Sequence, residues 1–447
     1  METSKEMTAG PALPLILKFT LPLLLGNLLQ QTYSLVDAAI VGKFLGINAL
    51  ASVGASTSVV FLILGFCNGC CGGFGIPVAQ KFGARDYSTM RSYISVSLKL
   101  SVVMSVTIAI VTSILCADIL QMMRTPENIF EGAYAYLLVT FIGVPFTFFY
   151  NLLSSIIRAL GDSKTPFWFL LLSTVLNIVL DLFCILVLGW GVAGAAIATV
   201  ISQGLSAVLC YIYMYRKFDI LQSTPKERRF QSKLAKTLLY IGVPMGLQFS
   251  ITAIGSIMLQ SANNALGTAC VAAFTSAMRI KMFFICTFES LGIAMATYSG
   301  QNYGAGKKKR VRNSYLISLA YSFGIGLLLG VSLVVFGRPF LSLFTRDAAV
   351  MDAGMYRLTI MGFSYCISAF MDCTIAAARA LGKSIVPMFI VIMGSCVFRV
   401  IWVYTVFAYF HTIPSLYLLY MFSWSITAVA EILYFIRIYR QKMALLS

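Results

Sequence analysis

One stretch of the chain gathers side chains suited to holding a proton or a small cation. Asn177 and Asp181 lie one helical turn apart, at i and i+4, so an amide and a carboxylate project from the same helix face. They sit in an apolar run, Phe167 to Leu188, which Gly189, Trp190 and Gly191 separate from a second run, Val192 to Tyr215. Each is long enough to cross a bilayer core of about 30 Å at about 1.5 Å per residue. So short a turn makes the two helices antiparallel neighbours. It pairs Asp181 with Thr199, eight residues from the turn on either side and roughly 12 Å below it. An Asp at the centre of a spanning helix costs about 2.5–3.5 kcal/mol, which makes an interior proton or cation site the default reading. The alternative is a structural carboxylate bonded to a neighbouring helix, although such bonds are individually weak in membranes. Asp37, near the Gly42 to Gly46 end of the first apolar run, reaches a similar depth. Two carboxylates meeting in a low-dielectric pocket cannot both ionise comfortably, so one carries a proton or a cation sits between them. Pro22, fifteen residues earlier in that run, removes a backbone hydrogen bond and marks a hinge able to reposition Asp37.

These residues need spans to carry them. With 59% hydrophobic and 11% charged residues, the composition is that of a polytopic membrane protein. Twelve apolar runs of spanning length begin near Leu15, Leu50, Ser92, Ala133, Phe167, Val192, Thr237, Cys270, Ser314, Gly354, Pro387 and Ser415. The first shows no small-residue cleavage site and is read as a retained helix, not a signal peptide. The net charge of +17 would suit nucleic acid, but its distribution points to a membrane: 24 of the 33 Lys and Arg fall in alternate loops and termini. Only Lys43, Arg124, Arg338 and Arg346 fall on the opposite side, and five more lie inside or at the edge of spans. By the positive-inside rule both termini and the loop Arg216 to Lys236 are cytoplasmic, and the acidic site lies in the outer half. Cys67, Cys70 and Cys71 stand among Gly65, Gly69, Gly72, Gly73 and Gly75, which reads as close helix packing and not as metal or disulfide spacing. A single histidine, His411, and the lack of a Walker-type loop argue against a metal cluster and ATP hydrolysis. No nucleophile and base stand together, so no enzyme and no cofactor are expected.

The chain also repeats itself. An offset of 221 residues places Leu45 to Pro166 on Leu266 to Pro387 without a gap, and the RALG at Arg158 to Gly161 falls on the RALG at Arg379 to Gly382. Six spans per repeat leave the halves similarly oriented, which predicts an all-α integral membrane fold: twelve transmembrane helices in two six-helix bundles about a pseudo-two-fold along the membrane normal. The expected division is residues 1–215, a cytoplasmic linker at 216–236, and residues 237–447. Two such bundles rocking about a central cleft give alternating access. The acids belong to one half only: Asn177, Asp181 and Asp37 map onto Phe398, Trp402 and Met258.

Four strings in this order resemble the multidrug and toxic compound extrusion (MATE) transporters: VDAAIVGKFLG at Val36 to Gly46, RALGDSKTP at Arg158 to Pro166, NIVLD through GWGVAGAAIAT at Asn177 to Thr199, and GQNYGAGKKKRVR at Gly300 to Arg312. The resemblance implies a monomer of the bacterial inner membrane that exports small organic, often cationic, compounds in exchange for Na+ or H+. It assigns the coupling ion to Asp37, Asn177, Asp181 and Thr199. The chain departs from one branch of the family, having no acid in Leu247 to Thr252 and only Asp372 as a candidate tenth-helix Asp. Glu289 and Asp372 are read either as substrate-cleft residues or as members of a structural ion pair. Arg399 is read as structural, and Glu431 as reaching an interface. Met and aromatic residues suit a promiscuous drug pocket without singling out its members. The competing reading is a flippase for lipid-linked precursors, which needs Arg in the cleft; Arg399 and Arg279 are the candidates. A major-facilitator transporter is disfavoured because GARD at Gly83 to Asp86 has the wrong spacing for its loop signature.

Overall fold

Long apolar segments in lipid must satisfy their own backbone, and this chain does so by helix. The computed structural model describes residues 6–264, 268–342 and 346–444, and every regular element among them is helical. The first half comprises α1 (Ala12–Leu45), α2 (Ile47–Gly83), α3 (Tyr87–Ile114), the short α4 (Cys116–Met122), α5 (Glu127–Ile142), α6 (Val144–Ala159), α7 (Lys164–Leu182) and α8 (Gly191–Lys217). The second comprises α9 (Ser232–Asn264), α10 (Thr268–Gly304), α11 (Lys308–Val335), the short α12 (Gly337–Ser342), α13 (Ala348–Ala380), the linked segments α14 (Ile385–Ile392), α15 (Phe398–Trp402) and α16 (Ala408–Phe410), and α17 (Ile413–Ala444). Ten spans are long and apolar enough to cross a membrane, eleven if α5 and α6 count as one, and the 37 residues of α10 have the length for a twelfth. The repeat is visible in the helix starts, since α10, α11, α13 and α14 begin 221 residues after α2, α3, α5 and α7.

Where the halves differ, the residues say why. The run beginning near Ala133 is not one straight helix: α5 and α6 meet at 47° across Gly143. Pro145, at the start of α6, lacks the N–H that would bond back into α5. The repeat places Cys366 there, and α13 runs unbroken through it. Gly189 and Gly191 take φ of +64° and +59° in the turn before α8, a conformation that L side chains resist.

Two compact units result. One holds Leu25–Gly246, and the other holds Met7–Leu24 and the chain from Leu247 onward. Both boundaries fall two residues after a proline inside a helix, Pro22 in α1 and Pro244 in α9. Each of these helices therefore contributes to both units, a division different from the expected 1–215 and 237–447. Residues 216–236 also differ from a free linker. Phe218 and Leu221 are buried in the core of the first unit, and Glu227 takes a two-pronged bond from Arg91, Nη2 to Oε1 at 2.7 Å and Nε to Oε2 at 2.9 Å.

The glycines around Cys67, Cys70 and Cys71 let α2 touch α9 backbone to backbone. A Cβ on Gly69 would stand 2.7 Å from the Gly246 Cα, and one on Gly73 would stand 2.5 Å from the Gly242 Cα. The three cysteines are buried as free thiols in the adjoining core. In the other unit α11 and α13 meet in the same way, at Gly330 and Gly362.

Two outcomes follow from this packing. Gly73→Ala should lower the thermal unfolding midpoint of detergent-purified protein, since overpacking costs about 1–3 kcal/mol. Gly54→Ala, with open space around it, should preserve or raise the midpoint; equal effects at the two positions would reject the contact. The Arg91 guanidinium holds the Glu227 carboxyl down at about 2, against an ordinary 4.5. A lowered carboxyl pKa means that the clasp stabilises fully above about pH 4.5 and fades as pH falls towards 2. The midpoint gap between the parent and Glu227→Gln should therefore be open at pH 7 and close on acidification through that window.

Candidate cation-binding site

The acidic site is built by three spans of the first unit. Asp37 comes from α1, Asn177 and Asp181 from α7, and Thr199 from α8. Asp37 and Asp181 meet, close enough for their carboxyl groups to share a hydrogen bond when one carries a proton. Asp181 is fully buried and Asn177 nearly so. Asp37 Oδ1, Asn177 Oδ1 and both carboxylate oxygens of Asp181 are buried with no hydrogen-bond donor among the described residues. Buried acceptor oxygens without a donor, two of them on a carboxylate beside a second carboxyl group, suit a positive charge.

The Thr199 hydroxyl accepts from the Asn177 amide at 3.0 Å. Between Asp181 and the glycine turn, Phe183–Val187 forms a π-helical segment. Thr199 Oγ1 also donates to the Ala195 carbonyl at 3.1 Å and lies 3.0 Å from the Tyr33 hydroxyl. A hydroxyl has one proton, and here Ala195 takes it, so Tyr33 donates to Thr199 and both Thr199 lone pairs are engaged. In this arrangement Thr199 orients Asn177 and Tyr33, while Asp37, Asn177 and Asp181 present the open oxygens. Tyr33 lies one turn before Asp37 on α1, a spacing that marks it as a neighbour. Tyr136, on α5, comes within reach of both carboxylates.

In the second unit Asp372 lines a narrow crevice with Phe288, Leu291, Ser318, Ser322 and Cys373 and accepts from Ser368 at 3.4 Å. Glu289 is exposed and close enough to Asp372 to feel its charge. Neither forms an ion pair among the described residues, so the structural-pair reading finds no partner there. Arg399 pairs with no acid among those residues either. It stacks over Tyr420 and Trp424 and donates from Nε to Ser423 at 3.1 Å. Glu431 is fully buried near Arg379, on the side of α17 that packs against α13. The side chain of Arg279 lies outside the described residues. Lys281 and Arg357 join Arg399 in the interior of this unit, and counting charges by loop hides them; their signal is a basic residue within a span with no carboxylate one turn away.

The MatE family model matches residues 22–183 and 241–405, one stretch in each half. The chain is similar to a probable multidrug resistance protein of Bacillus subtilis, YoeA, at 30% identity with 88% of each chain covered. It is also similar to the multidrug export protein MepA of Staphylococcus aureus, at 22% identity with 78% of each covered. Among solved structures, a MOP superfamily transporter from Pyrococcus furiosus, in which reverse polarity of the binding pocket suggests a different function, matches with a TM-score of 0.90 at 25% identity. It covers 100% of this chain and 99% of its own.

Burying carboxylates that nothing pairs should cost stability unless a cation or proton is bound. Asp181→Asn is therefore expected to unfold at the same or a higher temperature than the parent in Na+-free buffer. A fall in midpoint of more than a few degrees would mark Asp181 as a structural group.

Proposed function

Because the chain belongs to the MATE (multidrug and toxic compound extrusion) family, we propose that it is a cation-coupled antiporter exporting organic, often cationic, compounds by alternating access. One observation carries the reading: four buried oxygens on two helices, two of them from a single carboxylate, have no donor among the described residues, and Asp37 stands beside Asp181. Na+ is a hard cation that favours oxygen ligands, and the same oxygens would hold a proton between Asp37 and Asp181. Asn177 supplies a neutral oxygen, and Thr199 with Tyr33 fixes the amide. Arrival of positive charge removes the repulsion between the carboxylates, and its release restores it. Conformations that differ in access to the site then differ in affinity for the ion, which is the coupling that antiport requires. Pro22 stands at the change of unit within α1, fifteen residues from Asp37, and serves as the hinge through which the site acts on that helix. Both termini face the cytoplasm of a bacterial inner membrane, as the loop charges ask, and the chain works as a monomer.

The test is dye efflux from cells with equal membrane amounts of each variant, driven in turn by imposed Na+ and pH gradients. Asp37→Asn and Asp181→Asn should each lower efflux at least tenfold. Parent efflux that ignores both gradients would reject antiport, and unimpaired efflux in both variants would remove the ion from this site.

A further inference from the structure

The second unit holds a site of opposite sign. Lys281 on α10, Arg357 on α13 and Arg399 on α15 converge on one aromatic face of α17. Lys281 Nζ lies 5.5 Å and Arg399 Cζ 4.7 Å from the centre of the same ring, that of Tyr420. Arg357 Cζ lies 5.2 Å from the Tyr417 ring, one turn earlier, and Arg399 also reaches Trp424 at 6.0 Å. Arg357 and Arg399 are both close enough to Lys281 to repel its charge. The acids facing this group are few: Asp372 is within reach of Lys281 and of Arg379, and Glu289 stands beside Asp372. No ion pair among the described residues involves Lys281 or Arg399. The only hydrogen bond found for Arg399 among those residues uses Nε, and Ser423, which receives it, is itself tied to the Gly394 carbonyl at 2.7 Å.

Basic groups placed together inside spans carry a cost that ring faces offset only in part, about 0.5–2 kcal/mol each. Lys281 and Arg399 make no ion pair among the described residues, and an anion would supply the missing counter-charge. The repeat sharpens this. At the offset of 221 residues, Tyr136 of the acidic site corresponds to Arg357, Thr199 to Tyr420, and Asp181 to Trp402, whose ring stacks next to Phe398, the counterpart of Asn177. Around these equivalent positions the acids of one unit are replaced by rings and by Arg357 in the other.

We propose that Lys281, Arg357 and Arg399, with Tyr420 and Trp424, form a binding site for the anionic group of an aromatic compound, such as an aryl carboxylate or sulfonate. The guanidinium and ammonium groups meet the anion, and the tyrosine and tryptophan rings meet the aromatic body. The site depends on the transporter reading only for the bound anion to be cargo, and its occupancy is measured without transport.

Full-length protein in nanodiscs of neutral lipid is titrated with fluorescein, an aromatic carboxylate that is anionic at pH 7.5, and binding is followed by anisotropy. Saturable binding is expected, weakened at least tenfold in Lys281→Gln and in Arg399→Gln and largely kept in Lys281→Arg. Arg338→Gln, at an exposed ion pair with Asp352, should bind like the parent. Thermal midpoints identify any variant that is misfolded. Absence of saturable binding to the parent overturns the site whatever the variants do, as would neutral variants that bind like the parent. Displacement by stoichiometric phosphatidylglycerol would transfer the site to a lipid headgroup and overturn the assignment to an aromatic anion. Loss of cation-driven efflux in the Asp37 and Asp181 variants is read in a separate assay, so either reading can fail while the other stands.

Discussion

Desolvation of charge governs this molecule. In lipid an ionised carboxylate or guanidinium has no water to turn to, and protein oxygens, rings or protons must replace it. Among the described residues, Asp37 Oδ1 and both oxygens of Asp181 receive no donor, and the two carboxyl groups lie close together. Arg399 and Lys281 lie over aromatic rings and make no ion pair among the described residues. Among the described residues, the polar chemistry of both groups is left incomplete, which is the observation the two proposals start from.

The scaffold around these sites follows from the same shortage of water. Backbone groups close within helices, and the helices approach through glycine where side chains would hold them apart, as at Gly73 with Gly242 and at Gly330 with Gly362. Proline has the complementary part. Pro145 bends the fourth span, whereas α1 and α9 remain continuous through Pro22 and Pro244 while passing from one unit to the other. Outside the membrane, ordinary ion pairing returns, and the Arg91–Glu227 clasp holds residues 216–236 onto the first unit.

Repetition of the fold has not meant repetition of its chemistry. Helix starts keep one offset across the halves, yet the acids Asp37 and Asp181 of one half fall on Met258 and Trp402 of the other. Packing constrains helix length, turn and small-residue contacts in both halves alike. The few side chains that face a pocket are free of that constraint, so two units built alike can attract different ions.

The sequence by itself determined what depends on local pattern: spans from apolar length, their start points to within a few residues, the duplication, the glycine turn before α8, and the i, i+4 pairing of Asn177 with Asp181. The meeting of Asp37 with these two was inferred from depth and from resemblance, and the structure places the three together. Only tertiary structure decided what depends on register and on contacts between distant segments. The packing of α1, α7 and α8 bonded Thr199 to both Asn177 and Tyr33. Contacts far apart in sequence divided the chain within α1 and α9 and drew the loop onto the first unit. Three basic residues scattered over α10, α13 and α15 became one cluster because α17 presents a shared aromatic face, a relation with no period along the chain and so none to read from it.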